Sequence, residues 1–580
     1  MKKIFALALI ASVGATLTGC DDFLDDNRNP ETSIINTPEY WSNPSNCQLQ
    51  VDRYMTNSST YLFPGYGTGN SYGWFFFKTL SDDQVGSNFA DWAYPTETAT
   101  VGEWDYSVVR GANYIISGVR QSTLSQAEHK NYEGIAKLIR AYKYYQLVRM
   151  FGDVVWQSEV VDPADEEILY GPRTNRDIVM DSVLQDLNYA IAAISTESNK
   201  LGWSQDLARA VKSEVCLYEG TFCRYRTQAE NGIAPNEERA KKYLQECATV
   251  SKALLDKYGF CDDYHSLYNS TWDGDNTAGV TALSSNPEVI FGRKYDPTYG
   301  MHSTISYTAS STQTSGMSLD AFNAFLFLDG KPYATTSKDK TYVGTPDGTE
   351  ALPGYSIANL LAVRDARLSV ITDDHVYYTG MTWDRAGCTG MASSSGFGVA
   401  KFDNVNLPAK DRTNSAQNYT SCPIYWTSYI ALNYAEAKAE LGQFTDGDFA
   451  ISLKKLYERA QLPINGVADL NAINDPDNNM GVSSLLWEIR RCRRCELMFD
   501  NWIRYWDLVR WHQLDLLDST KHPNVLLGAY VGNAPVAINN VNGFVRPYNN
   551  ERKFDKKYYL YPIPTGELDL NPNLGKNFGW

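Results

Sequence analysis

Basic charge, histidine and long apolar runs are all scarce in this chain. Lys and Arg total 52 against 68 Asp and Glu, a formal net charge of -16 over 580 residues. The net basic surface that releases counterions from nucleic acid is therefore missing. A polybasic patch for an anionic lipid surface is missing too. After the first twenty residues no apolar stretch is long enough to span a bilayer. The six histidines, His129, His265, His302, His375, His512 and His522, form no HExxH or other metal-ligand spacing and read as surface or loop residues. Cysteine gives no disulfide framework either: setting Cys20 aside, nine are left, scattered and odd in number. They read as small buried hydrophobes. Cys492-Arg493-Arg494-Cys495 is a lone CxxC with no second pair or histidine couple nearby, so neither a metal ion nor a cofactor is called for.

What the chain does have begins at its N-terminus. Lys2 and Lys3 precede a short apolar run from Ile4 to Val13, and Leu17-Thr18-Gly19-Cys20 closes a small-residue cleavage site with a cysteine. This pattern resembles the bacterial lipoprotein signal: residues 1–19 form the leader and Cys20 becomes the acylated first residue. The acidic run Asp21-Asp22-Phe23-Leu24-Asp25-Asp26 is too polar to pack, so residues 20–30 read as a solvated tether.

Helical periodicity then dominates two blocks. From Glu133 to Phe151, Ile135, Leu138, Ile139, Tyr142 and Tyr145 share one stripe, and Gly152 supplies the stop. A second helix starts with the capping-box-like Thr174-Asn175-Arg176-Asp177 and carries Val183, Leu184, Leu187 and Ile191 on one face. A third is expected from about Leu207 to Arg224 and a fourth from about Glu237 to Lys257. Short connections make them antiparallel neighbours. Gly134, Ala136, Ala141 and Ala210 let paired helices approach closely, a pattern shared with tetratricopeptide pairs. Between Tyr258 and Ser421 the composition turns to Gly, Ser, Thr, Asn and Asp with isolated aromatics, which predicts loops and short strands riding on the frame. Helices return at about Tyr425 to Leu441, Phe449 to Ala460 and Ser483 to Arg510.

The closing stretch from Leu560 to Leu574, LYPIPTGELDLNPNL, resembles the SusD/RagB family of outer-membrane lipoproteins. Arg140-Ala141-Tyr142-Lys143-Tyr144-Tyr145 through Gly152-Asp153 looks like the same family's RAYYYFxLVRxYGD helix. Pro172-Arg173-Thr174, Asp186, Asp329-Gly330, Arg364 to Arg367, Asn433 to Ala437, Arg493 to Phe499 and Trp506 to Trp511 follow in the family's order, so the match spans essentially the whole chain. Two stretches depart from the pattern. Trp426-Thr427-Ser428-Tyr429 replaces an Arg-Tyr-Ala-Glu run, and Asp500 to Trp506 is about one residue longer than usual; both put a framework ion pair in doubt. Arg490, Arg493, Arg494, Glu496 and Asp507 read as buried ion-pair networks rather than catalytic groups.

The resemblance implies a mainly α, SusD-like fold over residues 31–580. Tetratricopeptide-like helix pairs would form a frame over about 100–257 and 425–511, with a loop-rich ligand-binding insert and short β-hairpins over about 258–421. It further implies a non-catalytic protein, lipid-anchored in the outer membrane and facing the cell exterior, that captures oligosaccharide or polysaccharide and caps a SusC-like TonB-dependent barrel. A RagB-like peptide receptor, a glycoside hydrolase using Asp82, Asp83 or Asp91, and a ligand-free scaffold are the competing readings.

Aromatic content is high, 13% with 39 Tyr and 14 Trp, and a sugar pairs ring faces with polar rims. Tyr72, Trp74, Asp82, Asp83, Asn88, Trp92 and Tyr94 form the densest such mixture. Trp272, Arg293 and Tyr295 form a second candidate and Trp383 a third. Asp273-Gly274-Asp275-Asn276 lacks the glutamate of a calcium loop and reads as a turn. Replacing Cys20 by Ala is expected to leave binding in solution intact while weakening uptake by cells, because the anchor supplies effective concentration. Loss of binding in solution would place this cysteine in the fold.

Overall fold

The computed structural model describes residues 37–56, 61–71, 73, 80–86, 94–274, 282–298, 300–309, 315–347, 354–377, 383–532 and 539–580. Cys20 and its tether lie outside them. The architecture is mainly helical. The frame begins with α1 (Pro44–Thr56), α2 (Ser107–Gln121), α3 (Gln126–Phe151), α4 (Arg176–Ala193), α5 (Gln205–Tyr225) and α6 (Glu237–Leu255). Ser125 and Glu128 close a reciprocal capping box on α3, and Gly152, at φ 72°, ends it. Asn175 caps α4 through the Asp177 amide. Successive helices pack on one another from α2 to α6. Small residues permit this closeness: a Cβ on Gly220 of α5 would lie 2.8 Å from Leu244 of α6, and one on Gly134 of α3 would lie 3.1 Å from Ala193 of α4.

The middle of the chain holds short elements. The strands Thr345–Asp347, Gly354–Ser356, Thr372–Tyr377 and Gly396–Val399 form an antiparallel sheet in that order. The short helix α7 (Leu319–Ala324) is capped by Ser318. Phe322 of α7 stacks on Phe397 at 4.6 Å, and Tyr268, Tyr295 and Phe402 join the same hydrophobic cluster as the frame helices. The second helical block holds α8 (Thr427–Glu440), α9 (Ser484–Glu496) and α10 (Ile503–Arg510). No helix among the described residues is long and apolar enough to cross a membrane.

Three helix expectations are corrected. Tyr425 and Trp426 belong to a strand, Cys422–Trp426, paired with Val289–Arg293, so α8 begins only at Thr427. The Phe449 to Ala460 segment is two short helices, Asp446–Ser452 and Lys454–Arg459. Ser483 to Arg510 is not continuous: α9 stops at Glu496, and Phe499, Asn501 and Trp502 take positive φ of 69°, 50° and 62° before α10 starts. Asp500 lies inside this break. Its carboxylate accepts from Lys401 Nζ and from the Tyr268 hydroxyl, each at 2.7 Å. In the stretch that departs from the resembled pattern, the Trp426 and Tyr429 rings lie 5.5 Å apart and Trp426 meets Tyr268 edge-on at 6.1 Å.

Buried ion pairs bind the elements together. Arg140 of α3 meets Asp186 of α4 through two bonds and Asn113 of α2 through a third. Glu436 of α8 takes both Nη atoms of Arg510, and Arg493 of α9 meets Asp507 of α10 at 2.8 Å. Glu496 joins Arg367 and Arg459. Arg173 reaches the C-terminal stretch through the Leu574 carbonyl and Asn577. The nine described cysteines are all buried and none forms a disulfide; burial pushes the Cys47 and Cys492 thiols up to about 11. His302 and His512, read as surface or loop residues, do lie in connecting segments but pack against aromatic rings, and burial lowers both to about 3.

Lys401 and Asp500 are wholly buried. Burial pushes the Asp500 carboxyl up to about 6 despite Lys401. A carboxyl raised on folding favours the folded state in acid, and that contribution is lost as the pH rises through about 6. Lys401→Met strands the carboxylate and should lower stability at pH 7.5 by about 3–5 kcal/mol. The loss should shrink toward pH 5 and be partly recovered by adding Asp500→Asn. Urea denaturation reads both, and a loss unchanged between the two pH values would refute the account.

Candidate functional site

One face of α9 builds the wall of the main cleft. Trp487, Arg490, Arg491 and Arg494 recur at i, i+3, i+4 and i+7 and line a cavity of about 560 Å³. The opposite face, with Ile489, Cys492, Arg493 and Glu496, is buried. Ser483 caps the helix through the Leu486 amide. The preceding loop adds Asp475 through Met480, α7 adds Asp320 and Asn323, and the following loop adds Tyr333 and Tyr342. Arg504, Asp82, Leu516, His522 and Asn524 complete the lining.

The aromatic groups are held in fixed orientations. Tyr333 and Tyr342 stack at 5.4 Å with 15° between planes, and the Tyr342 hydroxyl donates to Asn323 Oδ1 at 2.9 Å. The half-buried Trp487 donates from Nε1 to Asp475 at 3.1 Å. Arg491 binds the same Asp475 and, at 2.9 Å, Glu488. Half-buried rings lining a cavity beside amide, carboxylate and guanidinium groups can receive a ligand with an apolar face and a polar edge.

Arg504 grips Asp82 through Nε at 2.8 Å and Nη2 at 2.6 Å. Arg494 reaches Asp83 at 2.8 Å and Asp320 at 2.9 Å. Burial opposes ionisation of Asp82, but Arg494 and Arg504 together hold it well below the usual carboxylate range. Burial and the neighbouring Asp82 charge push Asp83 up to about 6 against the pull of Arg494. Asp82 and Asp83, two of the three carboxylates named for a hydrolase reading, are thus both held by arginines, and the third, Asp91, lies outside the described residues.

Of the residues expected at a site, Asp82 lines this cleft and Asp83 lies behind it. The others described do not converge there. Tyr94 stacks flat on Tyr558 at 4.1 Å and donates to the Leu514 carbonyl. Trp272 and Tyr295 are buried, and the Tyr295 hydroxyl donates to the Gly67 carbonyl at 2.6 Å. Arg293 clamps the 64–68 loop through the Pro64 carbonyl and Thr68 and packs on Tyr61. Tyr94 and Tyr295 are covered by segments distant along the chain, and with Trp272 buried they correct the expectation of an exposed platform. Tyr72, Trp74, Asn88 and Trp92 lie outside the described residues. Trp383 opens a short strand paired with Cys388–Met391. Two groups of metal-type ligands occur among the described residues, Asp177 with Glu219 and Cys223, and Asp373 to His375. Arginines already compensate both: Arg176, Arg226 and Arg239 in the first and Arg385 in the second.

Arg504 binds no other carboxylate than Asp82 among the described residues, whereas Arg494 has Asp83, Asp82 and Asp320. At pH 7.5 Asp82→Asn should therefore cost more stability, about 3 kcal/mol or above, than Asp83→Asn. Paired urea titrations check the order, and the reverse order would refute it.

Comparison with known proteins gives a consistent picture. Residues 287–580 match the model of the SusD family, and residues 50–216 match a model described as starch-binding associating with outer membrane. A SusD-like protein of Bacteroides ovatus is 25% identical over 273 residues, which cover 43% of this chain and 46% of that protein. The chain thus spans under half the length of that relative. SusD-like protein P2 of Formosa agariphila is 23% identical over 492 residues, 81% of this chain and 78% of that one. Among solved structures, a SusD-like carbohydrate binding protein from Bacteroides fragilis has a similar fold, with a TM-score of 0.65 at 20% identity over 92% of this chain and 99% of that one. With about half its length, including α9, α10 and the loop from Asp475 to Met480, matched by the family model, the chain belongs to the SusD family.

Proposed function

We propose that this protein is a cell-surface receptor that captures oligosaccharide in the α9 cleft and delivers it, without catalysis, to a SusC-like TonB-dependent transporter in the outer membrane. The observation that carries this reading is the combination of Trp487, Tyr333 and Tyr342 with Asn323, Asn524, Asp475 and arginine donors around one cavity. Ring faces accept sugar C-H groups while amides, carboxylates and guanidinium N-H groups meet hydroxyls. The name of the Bacteroides fragilis structure, a carbohydrate binding protein, and that of the matched model, starch-binding associating with outer membrane, support the same class. Lipid attachment at Cys20 would hold the receptor beside its transporter, where proximity compensates for the modest affinity of an open polar cleft.

Affinity electrophoresis against a panel of polysaccharides tests the reading. Retention by at least one polymer is expected, with Trp487→Ala weakening it at least tenfold because stacking and the Asp475 bond are both lost. Retention of none, by a protein whose denaturation curve is intact, would remove the glycan claim.

A further inference from the structure

The charges around the cleft come as completed pairs. Arg504 is held by Asp82, Arg494 by Asp83 and Asp320, Arg491 by Glu488 and Asp475, and Arg490 by Glu440 at 2.9 Å. Each guanidinium in the lining therefore faces at least one carboxylate. At the rim, the exposed Lys340 lies 5.2 Å from the Tyr333 ring and the exposed Asp477 occupies the loop before α9. Neither has an ion-pair partner among the described residues, so one charge offsets the other. The lining leaves no surplus of positive charge, and the whole chain carries -16.

Pairing cancels charge but does not use up donors. A guanidinium has five N-H groups, and Asp82 takes those of Arg504 from Nε and Nη2, leaving Nη1 without a partner among the described residues. A neutral hydroxyl can accept from such a group with every ion pair kept. A carboxylate or sulfate needs net positive charge to repay its lost hydration. It would have to pull an arginine away from its aspartate and leave that aspartate stranded.

We infer that the cleft selects uncharged oligosaccharides and rejects those carrying uronate or sulfate groups. This rests on the cleft being the glycan site, and it adds the class of glycan that the site admits. The exclusion follows from the pairing and not from shape, so it should yield to a single change of charge at the rim.

The experiment uses the full protein at pH 7.5 and low salt, on native gels containing neutral polymers (starch, xylan, mannan, mixed-linkage β-glucan, arabinan) or acidic ones (polygalacturonate, alginate, heparin, carrageenan). Wild type, Trp487→Ala and Asp477→Lys are run side by side. Wild type should be retained by a neutral polymer in a Trp487-dependent way and bind every acidic polymer at least tenfold more weakly. Asp477→Lys, which reverses a charge of the lining itself, should narrow that gap several-fold, the gap being read as the ratio of acidic to neutral retention by the same variant. Retention by an acidic polymer that Trp487→Ala abolishes would overturn the charge selectivity while leaving the cleft as the glycan site. An unchanged gap in Asp477→Lys would also overturn it. Retention by no polymer, or retention indifferent to Trp487→Ala, would instead overturn the cleft reading and this inference with it.

Discussion

Burying a charged side chain is tolerable only when a partner of opposite sign is buried with it, and this constraint organises the molecule. Arg140 with Asp186, Arg176 with Glu219, Arg367 and Arg459 with Glu496, and Arg510 with Glu436 each join elements remote in sequence. Such pairs are directional: a bidentate guanidinium fixes the rotation of its helix as well as its distance. For α9 the consequence reaches the cleft. Arg493, tied to Asp507, and Glu496, tied to Arg367 and Arg459, turn one face into the core and thereby present Trp487, Arg490, Arg491 and Arg494 on the other. The cleft wall is the reverse side of a structural seam, so its groups are held in orientation by the frame itself.

The frame was largely legible because a helix writes its buried face into the sequence every three or four residues. The stripe from Ile135 to Tyr145 and the Gly152 stop form as read, and the motif arginines and acids do form the expected buried network, whereas the start of α4 is capped by the Asn175 side chain instead of the Thr174 hydroxyl and Asp177 carboxylate of a capping box. The break between α9 and α10 was hidden for a physical reason. Leu497, Met498 and Phe499 continue an apolar pattern, while the group that interrupts the helix, Asp500, is captured by Lys401 and Tyr268 about one hundred and two hundred residues away. No local signal records that event.

The site was less legible. Density of aromatic rings in polar sequence selected Tyr94, Trp272 and Tyr295, yet each ring is covered by a segment distant along the chain: Tyr94 by Tyr558, Tyr295 by the 64–67 loop. The signal that does locate the cleft is the helical spacing of Trp487, Arg490, Arg491 and Arg494. It is obscured because Arg490 and Arg494 also carry ion pairs of the frame while lining the cleft. Tyr333 and Tyr342 come together nine residues apart in an irregular loop, a pairing that periodicity cannot register.

The nine buried cysteines bear on timing. A thiol reacts as its thiolate and only when reachable. In the folded protein both conditions fail, since burial pushes the Cys47 and Cys492 thiols up to about 11 and all nine are buried. The unfolded chain has no such protection. Under the proposed export, nine thiols that form no disulfide in the folded protein would enter an oxidising space. Cys216 and Cys247, neighbours in one apolar cluster, would be early casualties. Closure of the α5 and α6 pair, which buries both thiols, would then be what ends their exposure to oxidant.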